Sequence, residues 1–148
     1  MDKQITQYSS ISKLMHWLMA VLILLMFGVG YWMVDLTYYS AWYKTAPHYH
    51  KSVGVVLALL LLVRLGTIWR VGKPTALSSH SRWEQLLAKL THSLLYLLLI
   101  AIMLTGYLIS TEDGRGIEVF NWFVLPGLGE LFAGQADIAG DLHEWFAY

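Results

Sequence analysis

Cysteine is absent from this sequence of 148 residues, and charged side chains are scarce. Without cysteine, the chain has no disulfide, no c-type haem attachment and no cysteine-ligated iron–sulfur cluster or zinc site. Any metal chemistry therefore depends on histidine, methionine or carboxylate side chains. The formal net charge is zero, which argues against nucleic acid as a partner.

The low charge points to lipid rather than water as the main solvent. Charged residues form 14% of the chain, whereas a soluble domain has about 25%. Hydrophobic residues form 57%, and the seven tryptophans and nine tyrosines are of the kind that collects at membrane–water interfaces. We expect a single membrane domain over residues 1–148.

Three apolar stretches are long enough to cross a bilayer as helices, which needs about 20 residues. They run from about Leu14 to Val34, from Val53 to Trp69 and from Leu90 to Ile109. A fourth helix is expected to begin near Asp137, with Asp137 or Asp141 as its cap, and Tyr148 follows too soon for a full span. The predicted fold is an all-α, four-helix transmembrane bundle with three full spans and a truncated fourth helix.

The lysines and arginines predict the orientation of these spans. Six of them belong to the N-terminal tail and the connection between spans two and three: Lys3, Lys13, Arg70, Lys73, Arg82 and Lys89. The opposite side has only Lys44, Lys51 and Arg115. This bias predicts a cytoplasmic N-terminus in a multi-pass membrane protein, with the long loop from Ser110 to Gly140 outside.

Four histidines are expected at two depths of the bundle. His16 and His92 lie near the cytoplasmic ends of their spans, and His50 and His143 lie near the outer ends. Ionisable residues in spans are usually functional, and imidazole suits iron. Pairs of histidines from separate helices therefore predict b-type haem with both axial positions filled, which favours electron transfer.

Residues four helical turns from these histidines are consistent with haem. A separation of 14 residues keeps two side chains on one helix face, about 21 Å apart. Such pairs are His16 with Gly30, His50 with Arg64, and His92 with Gly106. Glycine makes room for a flat macrocycle, and Arg64 is suited to a haem propionate.

Simpler interpretations exist for each of these residues. Single histidines, including His48 and His80, also serve as polar anchors at interfaces, and Arg64 can reach the interface by snorkelling. Glycines also permit close helix packing. A small transporter or a purely structural anchor remains an alternative function. The transporter is disfavoured because no carboxylate lies within the spans apart from Asp35 at one end.

Several sequence stretches resemble the bacterial cytochrome b561 family, which is related to the b-type cytochrome subunits of nickel–iron hydrogenases. They are MHWL, HKSVG, THSLLYLLL, GYLIST and LHEWFAY, spread over nearly the whole chain. The resemblance implies a four-helix bundle in the bacterial inner membrane with two b haems, one toward each membrane face. It also implies electron transfer between the quinone pool and a redox protein or a small molecule such as superoxide, or an anchoring role for a hydrogenase or dehydrogenase.

Carried onto this sequence, the resemblance assigns His50 and His143 as the ligands of the outer haem and His16 as a ligand of the cytoplasmic one. His92 matches a family histidine near that haem and a quinone pocket. In the family the fourth helix continues and carries the partner of His16, so we expect a truncated chain or His92 as a substitute ligand. Homodimerisation is left open.

Overall fold

The computed structural model describes residues 7–72 and 81–148, and this part of the chain is mostly helical. The helices are α1 (Ser10–Met33), α2 (Thr45–Val71), α3 (Arg82–Thr111) and α4 (Gln135–Ala147), and the strands are β1 (Ile117–Val119) and β2 (Phe123–Leu125). Lys3 and Lys73, which contribute to the predicted orientation, and His80, a predicted anchor, lie outside the described residues.

The three predicted spans are confirmed as helices long and apolar enough to cross a membrane. Helices α2 and α3 each begin eight residues earlier than their apolar stretches. The added residues at the start of α3 are stabilised by a capping box. In it, the Ser81 hydroxyl accepts from the Glu84 N–H, and the Glu84 carboxylate accepts from the Ser81 N–H. The length of an apolar stretch does not predict such polar residues at the start of a helix.

Helix α4 has 13 residues and starts at Gln135. The prediction that Asp137 or Asp141 caps it is wrong, because the N-cap residue is Gly134, which has a left-handed backbone and no capping side chain. Asp137 instead lies in the first helical turn, where a carboxylate interacts favourably with the helix dipole. The described residues do not include a complete fourth span.

The described residues are mostly helical, as expected, with a short β-hairpin between α3 and α4 that the sequence did not predict. Strands β1 and β2 pair antiparallel, with Ile117 opposite Leu125. The turn places Phe120 and Asn121 at φ values of 48° and 60°, and the Trp122 N–H donates to the Val119 carbonyl at 2.8 Å. Two consecutive positive φ values are typical of tight hairpin turns. The strands are only three residues long, so their sequence carried too little pattern to predict them.

The core lies midway along the bundle, where Met19 of α1 meets Leu57 and Leu61 of α2. Partly buried side chains of α3, including Tyr96 and Leu99, complete it. Packing is most extensive between α1 and α2 and between α3 and α4, and is thinner between α2 and α3. The bundle therefore consists of two helix pairs that are adjacent in sequence, joined mainly through α2.

Apolar side chains also cover the outside of the three long helices. Leu24, Leu62 and Leu97 each expose about two thirds of their surface or more. Water would make such a surface unfavourable, whereas lipid tails are an equally apolar solvent. The exposed leucines therefore agree with a position in the membrane.

Candidate functional site

His50 and His143 meet at the end of the bundle where the β-hairpin lies, which is here named the hairpin end. His50 belongs to the second turn of α2, and His143 lies on α4. Their ring centroids are 6.3 Å apart and their planes are inclined by 73°. Both side chains are partly buried. The expectation that these two residues share a depth is confirmed, although their role as metal ligands stays a prediction.

The orientation of the His143 ring is fixed by α3. Its Nδ1 lies 2.9 Å from the Ile102 carbonyl oxygen and 3.2 Å from the Thr105 hydroxyl oxygen. A carbonyl oxygen can only accept, so Nδ1 carries the proton and donates it. The neutral ring therefore has its free lone pair on Nε2, the nitrogen that remains available to a metal.

The His50 ring is held differently. Its Nδ1 is buried and has no hydrogen-bond partner among the described residues. Two glycines make room for the two rings. A Cβ atom at Gly30 of α1 would lie 3.3 Å from His50 Cε1, and one at Gly106 of α3 would lie 3.0 Å from His143 Cε1. These glycines, expected to leave space for a macrocycle, thus lie directly against the imidazole rings.

The β-hairpin is fastened to α2 beside His50 through the fully buried Ser52. The Ser52 hydroxyl donates to the Glu118 carbonyl at 3.2 Å and accepts from the Phe120 N–H at 3.1 Å. The Phe120 ring then contacts Tyr49 of α2 and Trp122 of the hairpin. The hairpin consequently covers the start of α2, two residues from His50.

At the opposite end, here named the open end, a cleft of about 300 Å³ lies between the start of α1, the end of α2 and the start of α3. His16, His92 and Arg64 all face this cleft, so the structure brings these three predicted residues together. The remaining lining residues are Tyr8, Ser12, Lys13, Trp17, Ile68, Ala88, Lys89 and Tyr96.

Arg64 is the side chain that links the three helices at the open end. Its Nε donates to the Tyr96 hydroxyl of α3, and its Nη1 donates to the Ser12 carbonyl of α1, both at 3.1 Å. His92 and His16 are exposed. The His92 Nδ1 lies 2.6 Å from the Ala88 carbonyl in the preceding turn, so this ring also has Nε2 free.

The donor set at the hairpin end fits an iron macrocycle better than a bare metal ion. Among residues 7–72 and 81–148, no group of three or more His, Asp or Glu side chains is arranged to hold a metal. A haem iron takes four ligands from its macrocycle and needs only axial ligands from the protein. Two facing histidines, one with its Nε2 fixed as the free nitrogen, meet that requirement.

The sequence did not identify the residues whose hydrogen bonds connect the elements around the two sites. Thr105, Ser52 and Tyr96 each make a hydrogen bond between elements that are far apart in sequence. For Thr105 a signal existed, because it precedes Gly106, which lies four turns after His92. His48, expected to be an interfacial anchor, lies in the first turn of α2 with its ring 5.5 Å from Tyr49.

Comparisons with known proteins agree with this architecture. Residues 7–148 match the family model described as prokaryotic cytochrome b561. The chain is also 46% identical, over 144 residues, to cytochrome b561 homolog 2 of Escherichia coli. That alignment covers 96% of this chain and 76% of the relative.

Proposed function

This chain belongs to the prokaryotic cytochrome b561 family, and on that basis we propose that it carries electrons through b-type haem held by histidines from separate membrane helices. Membership of the family supports the coarse function of a membrane b-type cytochrome. The specific proposal is that His50 and His143 are the axial ligands at the hairpin end. The observation that carries it is the 6.3 Å distance between the centroids of their rings.

The residues at the hairpin end suit electron transfer more than substrate chemistry. When bound, haem supplies a one-electron iron couple. His50 and His143 would hold the haem between α2 and α4, and a haem held by two histidines would supply electron transfer rather than a binding site for oxygen or a substrate. The Ile102 carbonyl accepts from Nδ1 of His143, so Nε2 is the nitrogen with a lone pair in the neutral ring that ligation requires. Ser52 fastens the hairpin to α2 two residues from His50.

The open end is proposed to hold the second haem and to exchange electrons with the quinone pool. His16 is the assigned iron ligand, and His92 and Arg64 are assigned as residues that contact the cofactor. Their support is that all three line one cleft, where Arg64 adds positive charge for a propionate. From the lysine and arginine bias, we place this end at the cytoplasmic face of the inner membrane.

The proposal is tested by haem content and absorbance in the protein purified in detergent after expression with sufficient haem. We expect an α-band typical of reduced b haem. His50→Ala and His143→Ala should each lose the same haem, and His16→Ala should lose a different one. His48→Ala is the matched control, since this residue lies on the same helix two positions from His50 and should keep the full haem content.

Two results would contradict the proposal. One is a colourless wild-type protein. The other is a His50→Ala or His143→Ala variant with the same haem-to-protein ratio as His48→Ala.

A further inference from the structure

A buried hydroxyl group on α3 lies beside His143 and also contacts carbonyl groups of α3 itself. Thr105 is 7% exposed, and its Oγ1 lies 3.2 Å from His143 Nδ1. The same oxygen lies 2.8 Å from the Ala101 carbonyl and 3.0 Å from the Ile102 carbonyl. Thr105 thus touches both the histidine ring and the carbonyl to which that ring donates.

The direction of these hydrogen bonds follows from the number of protons. The threonine hydroxyl has one proton, which it donates to the carbonyls of the preceding turn. Its lone pairs therefore face the His143 N–H and accept from it. The Nδ1 proton is shared between two acceptors, the Thr105 hydroxyl and the Ile102 carbonyl.

This arrangement makes the two facing histidines unequal. His143 donates to two oxygens of α3, whereas Nδ1 of His50 has no partner among the described residues. A ring N–H that donates to an acceptor raises the electron density on the other nitrogen and fixes the ring orientation. As a ligand, His143 should therefore donate electron density more strongly than His50, and its ring should be more rigidly held.

We propose that Thr105 is a positioning residue that sets the orientation of the His143 ring and increases its electron donation, an inference that depends on the proposed role of His143 as a haem ligand. Stronger donation favours the ferric state and lowers the midpoint potential. Gly106 assists, since the absence of a Cβ atom lets the ring approach α3.

The test is redox titration and electron paramagnetic resonance of the purified holoprotein. Thr105→Val keeps the shape of the side chain and removes the acceptor. We expect retained haem, a higher midpoint potential for the hairpin-end haem, and altered g-values, which report the relative orientation of the two imidazole planes. Thr105→Ser keeps the hydroxyl group and should show the wild-type midpoint potential and g-values.

Thr111→Val is the matched control. Thr111 is a fully buried threonine on the same helix, and its hydroxyl donates to the Tyr107 carbonyl at 2.9 Å. Among the described residues, this hydroxyl makes no hydrogen bond to a histidine. This variant should retain the wild-type potential and g-values. If Thr105→Val fails to fold, Thr105→Ser and Thr105→Ala form a second pair that differs only in the hydroxyl group.

The proposal is overturned if the potential and g-values of the hydroxyl-free variants equal those of wild type, or if Thr111→Val shifts them equally. These outcomes leave the haem in place and so leave the proposed function intact. By contrast, full haem retention in His143→Ala removes the premise and overturns both.

Discussion

The two ends of the bundle hold their histidines in contrasting ways. At the hairpin end, both rings are partly buried, each lies against a glycine of another helix, and a hairpin fastened by Ser52 covers the start of α2. At the open end, His16 and His92 are exposed on a cleft, and Arg64 is the residue that connects three helices.

This contrast teaches how one bundle can provide a preorganised site and an adaptable site. Ligands whose positions are fixed by packing and backbone hydrogen bonds lose little conformational entropy on binding. That condition holds for His143, which is bound by the Ile102 carbonyl. Exposed side chains along a cleft keep their rotamers until a ligand orders them. Substitutions should therefore be more harmful at the hairpin end.

The largest expected difference in stability between the two ends comes from adding one methyl group at each end. Gly106→Ala places a Cβ atom 3.0 Å from His143 Cε1, so we expect a loss of about 1–3 kcal/mol in the free energy of unfolding through overpacking. The hairpin-end haem should also be lost. Gly66→Ala, near the open end of α2, meets no atom within 4 Å and should gain up to about 1 kcal/mol, because alanine favours helix.

Unfolding in detergent and haem absorbance measure both variants. Equal stability of Gly106→Ala and Gly66→Ala would show that the rings at the hairpin end are not tightly packed.

A smaller difference in stability between the two ends is expected from removing one hydroxyl group at each end. Ser52→Ala deletes both hydrogen bonds that fasten the hairpin, and the partly buried Phe120 N–H loses its acceptor, at a cost of about 1–3 kcal/mol. Hydrogen exchange at the Phe120 amide should accelerate. Tyr96→Phe removes one bond to Arg64, which keeps its bond to the Ser12 carbonyl, so the cost should be about 0.5–1.5 kcal/mol.

If Tyr96→Phe proves as destabilising as Ser52→Ala, the open end is as firmly held as the hairpin end. Hydrogen exchange at Phe120 should be unchanged in Tyr96→Phe, which makes that variant the control for the local effect.

The smallest effect is expected from an ion pair at the margin of the hairpin end. The Arg115 side chain, and then its backbone N–H, donate to Asp113 and lower the pKa of that carboxyl group. A lowered pKa stabilises the fold above the unfolded pKa of about 4, and this contribution is lost as the pH falls through the folded pKa. Because both side chains are exposed, the contribution should be near zero.

Asp113→Asn should therefore unfold within error of wild type at pH 7. Any small difference should shrink as the pH is lowered below about 4. Thermal unfolding between pH 3 and pH 7 checks this, and a difference that widens on acidification would contradict the assigned direction.

Apolar length and histidine depth were enough to predict the spans and the facing pair. Residues that lie 14 apart on a helix share a face, and this periodicity singled out Gly30 and Gly106, which do lie at the ring sites. Their contact partner was not predictable, because a periodic pattern on one helix does not specify which side chain of another helix approaches it. The rings that fill the space are those of His50 and His143.

The supporting hydrogen bonds depend on contacts that are distant in sequence. Ser52 binds backbone groups 66 and 68 residues away, and Thr105 binds a ring 38 residues away. Every residue has a backbone carbonyl group, so the sequence does not distinguish the Ile102 carbonyl, which accepts from His143. The sequence therefore could not predict these long-range backbone partners.

The division of the bundle into two helix pairs has a consequence for the stability of the apoprotein. His50 belongs to the first pair, His143 belongs to the second, and the packing between α2 and α3 is thin. A haem ligated by both would connect the two helix pairs where their direct packing is thin. Under the proposed ligation, cofactor binding would connect the two pairs, so the haem-bound protein should unfold less readily and resist proteolysis better than the apoprotein.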